Sequence, residues 1–210
     1  MTKKIQFFAL VLCLCLCSVS IASAEYTQQD CDKFYFSAQY DKAYQCLSSM
    51  AAEGDPQSQF NLAVLYHLGQ GVAKDTSKTI YWLTRAAENG HPNAQFGIGA
   101  AYESGFGVEQ DLVEAVKWYS KAANQGHAAA QTNLGVMYGN GEGVERNSIE
   151  ALKWFRLAAS SGSSKARRNA EVLAQYMSDE EILEADTMAA AWEPIISEKT
   201  DPLLNQSVHK

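Results

Sequence analysis

The stretch Leu134-Gly135-Val136-Met137-Tyr138-Gly139-Asn140-Gly141-Glu142-Gly143-Val144, continued by Glu150-Ala151-Leu152-Lys153-Trp154 and closed by Ala158-Ala159 and Gly162, decides the fold. Its landmarks recur 36 residues earlier as Tyr102, Gly105, Gly107, Val108, Trp118, Ala122-Ala123 and Gly126. They recur once more as Tyr66, Gly69, Gly71, Val72, Trp82, Ala86-Ala87 and Gly90. Gln59, Gln95 and Gln131 keep the same step near the start of each unit. Three units therefore run 56–91, 92–127 and 128–163 without an inserted residue. All 14 glycines of the 210-residue chain fall between Gly54 and Gly162, so glycine here marks a pattern rather than a linker.

Each unit reads as two helices. In the middle copy the first runs roughly from Asn93 to Ser104, with Ile98, Ala101 and Tyr102 at helical spacing. The Gly-x-Gly-Val loop ends it, because a helix terminus uses the left-handed conformation that glycine tolerates. Gly99 and Gly135 lie inside first helices at a cost of about 1 kcal/mol each relative to alanine, which predicts close helix–helix approach. The second helix begins at Asp111, with Glu114 in capping-box position; Asn147 and Glu150 repeat the pair. Asp75 caps the first copy but has Lys78 in the Glu position. Pro56 and Pro92 open first helices. One such hairpin cannot bury its own apolar side, whereas stacked neighbours can. The expected fold is all-α, an α/α solenoid of stacked helix-turn-helix repeats, with the Trp, Tyr and Ala columns as core.

These motifs resemble the Sel-1-like repeat, a relative of the tetratricopeptide repeat, over 56–163. Lys42-Ala43 and Ala51-x-x-Gly54 continue the second-helix pattern backwards, with Cys46 at the Trp position. Residues 25–55 are expected to form an N-terminal capping helix pair and 164–191 the C-terminal capping helices. Ala166-Arg167-Arg168-Asn169 resembles a last first helix, and Ser178-x-x-Glu181 is a capping box for the closing one. Residues 192–210 read as a tail, with Trp192 expected to dock on the last helix.

The resemblance implies a non-enzymatic scaffold that holds other proteins, with ligands on the concave face built by the first helices. The non-repeating first-helix positions then carry specificity: Phe60, His67, Phe96, Glu103, Thr132 and Asn140 are the candidates. Phe60 and Phe96 stay open between partner anchor and inter-repeat core, and Phe106 between exposed contact and a ring folded back on the stack. Exported bacterial members often serve envelope assembly, signalling or host contact, so an accessory role in a pilus or flagellar motor is the alternative. A small-ligand or peptidoglycan-fragment binder is a further one. A cysteine-rich branch of the family is described as binding or hydrolysing β-lactams. It carries a Cys pair in every repeat, whereas 56–163 here contain none.

The N-terminus reads as an address. Lys3 and Lys4 precede an uncharged apolar run, Ile5 to Cys17, and Ala22-Ser23-Ala24 fits a signal-peptide cleavage site. Residues 1–24 are expected to be removed after Ala24, placing the chain in the periplasm or outside the cell. The run is short for a membrane span, so no stable membrane insertion is expected after cleavage. Leu12, Leu14 and Leu16 precede Cys13, Cys15 and Cys17 where a lipoprotein signal wants small residues. Cleavage leaves Cys31 and Cys46, which read as one disulfide across a turn at Ala38-Gln39-Tyr40-Asp41, closing a loop worth about 3 kcal/mol. A redox-active pair is the other reading, but there is no C-x-x-C.

The formal net charge is −7, and about −9 without the leader. Acidic balance excludes a nucleic-acid binder that relies on a basic stripe. No catalytic residue, cofactor or metal site is expected. Gly105-Phe106-Gly107 lacks the strand and third glycine of a nucleotide loop. His91 and His127 share one repeat position and read as solvated loop residues rather than metal ligands. Lys165, Arg167 and Arg168 read as a solvated basic patch. A monomer binding protein partners is the expectation.

Overall fold

The computed structural model describes residues 26–195, so the expected leader and residues 196–210 of the expected tail lie outside the described residues. Within them the chain forms ten helices and no strand. In order these are α1 (Gln28–Phe36), α2 (Tyr40–Glu53), α3 (Pro56–Leu68), α4 (Thr76–Glu88), α5 (Pro92–Ser104), α6 (Leu112–Asn124), α7 (Ala128–Asn140), α8 (Ser148–Ser160), α9 (Ser164–Ala174) and α10 (Asp179–Ala190). Each helix packs on the next up to α9, whereas α10 packs on α8. The result is an all-α solenoid built around three equal hairpins, α3/α4, α5/α6 and α7/α8. Every helix in those hairpins is 13 residues long.

The helix ends follow from local chemistry. Pro56 and Pro92 occupy the first turns of α3 and α5. Asp75, Asp111 and Asn147 accept backbone N–H groups at the starts of α4, α6 and α8. The expected return contacts of Glu114 and Glu150 to those caps are not made. Each glutamate instead pairs with the lysine three residues on, Lys117 and Lys153. Complete capping boxes form at Thr27/Asp30 and Ser178/Glu181.

The repeating glutamines hydrogen-bond each hairpin to the one before. Gln59, Gln95 and Gln131 donate Nε2 to the carbonyls of Ala51, Ala87 and Ala123, each at 3.1 Å. Those carbonyls lie in the last turn of the preceding helix, where each also accepts the amide of the closing glycine, Gly54, Gly90 or Gly126. Asn89 and Gln125 donate in turn to Gln59 and Gln95. Position 161 holds serine, and Gln131 Oε1 is left buried without a partner.

The interior glycines mark close approach, as expected. A Cβ on Gly99 would stand 2.8 Å from the Tyr119 ring, and one on Gly135 2.6 Å from Phe155. The first hairpin carries Ala63 and Leu83 at those same two positions, so a larger residue on one helix goes with a smaller one on the other.

Both ends of the stack are closed. Cys31 and Cys46 are disulfide-bonded, with Cα atoms 5.4 Å apart, and are fully buried with Leu47, Leu62 and Tyr66. At the other end Trp192 does not rest on α10 alone. It joins the cluster of Tyr119, Leu134, Trp154 and Leu157, beside Gly126. The Ile195 amide donates to Asn124 O at 2.7 Å, so residues 192–195 reach back to the end of α6.

Gly135→Ala is expected to lower stability by about 1–3 kcal/mol despite the better helix propensity of alanine, because the new methyl meets an aromatic ring. Adding Phe155→Leu, which restores the Ala/Leu combination of the first hairpin, is expected to recover part of that loss in a double-mutant cycle read by urea unfolding.

Candidate functional site

Three joints tie successive first helices together, and three of the candidate residues lie in them. The Phe60 ring stacks on the imidazole of His91, with centroids 4.6 Å apart. Phe96 stacks on His127 at 4.7 Å. Thr132 Oγ1 lies 3.2 Å from Ser163 Oγ. His91, His127 and Ser163 are the N-cap residues of α5, α7 and α9, and each accepts a backbone N–H of the first turn. An aromatic ring thus goes with a histidine cap, and a small hydroxyl with a serine cap. His91 and His127 are therefore not solvated loop residues. His91 is 5% exposed, and its Nδ1 accepts from Ala94 N while Nε2 donates to Gln57 Oε1. Burial pushes the His91 pKa down to about 4 and lowers that of His127 in the same direction. Phe60 and Phe96 are half-buried in these joints, and Thr132 is buried.

The remaining candidates line or fill the grooves between neighbouring first helices. Between α3 and α5 lies an apolar cavity of about 290 Å³, lined by Ala63, Val64, Leu83, Gly97 and Ala100, with His67, Ser104 and Phe106 also contributing. The His67 and Phe106 rings meet edge to face at 5.4 Å across it. Phe106 thus folds over the groove and is still 38% exposed.

Between α5 and α7 the corresponding space is occupied. Tyr119 takes the place of Leu83, and its hydroxyl donates to Glu103. Asn133, standing where Gly97 does, also reaches that hydroxyl. Burial and the Glu103 carboxylate both raise the Tyr119 pKa. Glu103 is therefore a brace for a buried phenol.

Between α7 and α9 the groove opens again to about 400 Å³, over Gly135, Val136, Gly139 and Phe155, with Asn169, Val172 and Tyr176 on the far side. Asn140 stands on its edge and donates to Glu142.

The first-helix face thus holds two open grooves separated by one that is braced shut. Candidate positions read from sequence missed the floor that decides this: Leu83, Tyr119 and Phe155. The same column step that revealed the repeat contains the signal, in the breaks Leu83/Tyr119 and Gly97/Asn133. Among the described residues no group of three or more His, Cys, Asp or Glu is arranged to hold a metal ion. No helix among them is long and apolar enough to cross a membrane.

The Sel1 repeat family pattern matches residues 36–55, 56–91, 92–127 and 128–163. No match is found among curated proteins. Among solved structures, a Sel1 repeat protein from Oxalobacter formigenes is 36% identical over 70% of this chain and 60% of its own, with a TM-score of 0.67. The protein c5321, a protective antigen present in uropathogenic Escherichia coli strains and displaying an SLR fold, is 31% identical. It aligns over 81% of this chain and 38% of its own, with a TM-score of 0.68. Helicobacter pylori cysteine rich protein B is 25% identical over 60% of this chain and 93% of its own, with a TM-score of 0.50. The chain therefore spans less than two thirds of the length of the first two.

The histidine joint sets an acid limit. A group with a native pKa of about 4 against an ordinary 6.5 contributes its full stability above about pH 6.5. That contribution, of order 3 kcal/mol, is lost progressively as pH falls toward 4, because the unfolded chain takes up the proton first. His91→Ser keeps a cap and removes the titration. Its urea-unfolding stability is expected to fall less steeply between pH 6.5 and 4 than that of the parent; an equal slope would assign the acid loss to other groups.

Proposed function

The chain belongs to the Sel1 repeat family, whose members are generally protein–protein interaction scaffolds, and from this we propose that it is an exported, monomeric scaffold in the bacterial periplasm or outside the cell. It holds a protein partner on the face of its first helices. The observation that carries this reading is the open apolar groove between α3 and α5, roofed by His67 and Phe106. Its floor is made of small residues and Leu83, so a partner side chain enters without displacing the core. Such anchor-and-pocket contacts dominate the energetics of protein interfaces.

Export is supported by two independent features. The N-terminal 24 residues have the charge, apolar run and small-residue site of a cleavable leader. Cys31 and Cys46 are bonded to each other, which suits an oxidising compartment. A permanent accessory role in an envelope machine such as a pilus or flagellar motor uses the same face and differs only in the lifetime of the complex. Against a β-lactam-binding or hydrolysing role stands the lack of cysteine in repeats 56–163.

A photo-crosslinking amino acid at Ser104, on the rim of the α3/α5 groove, is expected to trap a partner in envelope fractions. The same group at Lys121, on the outer side of α6, is expected to trap none. Adducts from Lys121 alone would move the partner site to the second helices. N-terminal sequencing of the protein from fractionated cells is expected to begin at Glu25 in the periplasmic or secreted fraction. An intact Met1 chain in the cytoplasm would overturn export.

A further inference from the structure

Charge separates first helices from second ones. Glu103 is the one Asp, Glu, Lys or Arg in α3, α5 and α7, whereas α4, α6 and α8 carry three each. Glu103 is itself taken up by the Tyr119 hydroxyl. The α3/α5 groove is equally neutral. Of the two hydroxyls in its lining, Thr79 Oγ1 donates to Asp75 O and Ser104 Oγ to Ala100 O. That leaves the imidazole of His67 as the remaining polar side chain of the lining. An ion entering here would lose water and gain no partner, so the groove suits an uncharged occupant.

The chain itself brings such a segment to this part of the stack. After α10, residues 192–195 run back toward earlier repeats, with Trp192 beside Gly126 and the Ile195 amide donating to Asn124 O. That end of α6 touches the start of α5, where Gln125 Nε2 donates to Gly90 O at 3.0 Å and to Gln95 Oε1 at 2.7 Å. From the first turn of α5 to Ala100 is about 12 Å along the helix. Neighbouring helix axes lie about 8–10 Å apart. Beyond Ile195 comes Pro202-Leu203-Leu204-Asn205-Gln206-Ser207-Val208, seven residues without a charge. Leu203 stands eight residues past Ile195. An extended chain spans about 26 Å in that length, enough to reach the groove.

We propose that residues 202–208 occupy the α3/α5 groove of their own chain, with a leucine of the Leu203-Leu204 pair over Gly97, and that a partner enters by displacing them. This rests on the scaffold reading above and adds the regulation of that site. The lining of Ala63, Val64, Leu83 and Ala100 meets an aliphatic side chain, and the His67 and Phe106 rings close over it. A tethered segment competes at an effective concentration of millimolar order for a short linker. Weak free ligands are thereby kept out. A partner gains the groove with a better anchor, or with further contacts on the first-helix face.

The test places the photo-crosslinking amino acid at Ser104 of the purified full chain and maps adducts by mass spectrometry after trypsin digestion. A monomeric product joined to the peptide Thr200–Lys210 is expected, and none from Lys121. Leu203→Asp with Leu204→Asp, both outside α1–α10, is expected to reduce that adduct at least tenfold. In envelope fractions the same double change is expected to raise the partner adduct from Ser104 at least threefold. In methyl-labelled protein it is expected to shift the Val64 and Leu83 resonances and to leave those of Val136 and Val172 in place. The proposal is overturned if Ser104 captures no tail peptide, or captures it only in crosslinked dimers, which would assign the tail to a second copy. It is equally overturned if Val136 and Val172 move instead, or if the double change leaves partner capture unaltered. Partner adducts from Ser104 without tail adducts would sink this inference alone. Tail adducts from Ser104 with partner adducts only from Lys121 would sink the scaffold face and the regulation that rests on it.

Discussion

The stack depends on how the start of each repeat grips the repeat before it. An isolated two-helix hairpin buries one side at best, so stability comes from the interfaces between hairpins. The two central interfaces contain the same parts. A first-helix side chain meets the next N-cap, as Phe60 does His91. A buried glutamine donates to a carbonyl at the end of the preceding helix, as Gln95 does to that of Ala87. The second glycine of each loop lies on the first turn of the preceding second helix. At Gly71 and Gly143 a Cβ would fall 2.3 and 2.2 Å from the backbone oxygens of Tyr40 and Leu112. Those glycines also adopt positive φ, so both close approach and conformation exclude a side chain.

These joints explain the function of the face they support. Once Phe60, Phe96 and Thr132 are engaged between repeats, the surface left for a partner is the set of grooves beside them. Whether a groove is open depends on few atoms. Leu83 with Gly97 leaves a cavity, whereas Tyr119 with Glu103 and Asn133 fills the next one. The regular backbone supplies identical frames, and residue differences at the floor supply individual sites. In the same column Arg168 is exposed and engages no following cap among the described residues.

The two ends are stabilised differently because each faces water with half an interface. The N-terminal pair is stapled by Cys31–Cys46 at the position where later repeats place tryptophan. The C-terminal end uses chain instead of a covalent bond. Helix α10 covers Trp154, Arg156 binds Asp186 at 2.8 Å, and Trp192 extends the cover to α6. The expected docking of Trp192 on the last helix was too local, because the ring completes a cluster shared by α6, α7 and α8.

Periodicity alone determined the repeat length, the two-helix unit, the helix ends and the family resemblance. Each of these follows from spacing, caps and glycines that act within a few residues of themselves. The close approach at Gly99 and Gly135 was legible for the same reason, since a costly residue in a helix needs a spatial cause. Tertiary structure decided what depends on residues about 31 apart meeting across a joint. It turned His91 from a loop residue into a buried cap and made Glu103 a brace. It also separated one filled groove from two open ones. No periodic pattern distinguishes a column that packs from one that binds, because both repeat every 36 residues, and only the contacts between neighbouring hairpins tell them apart.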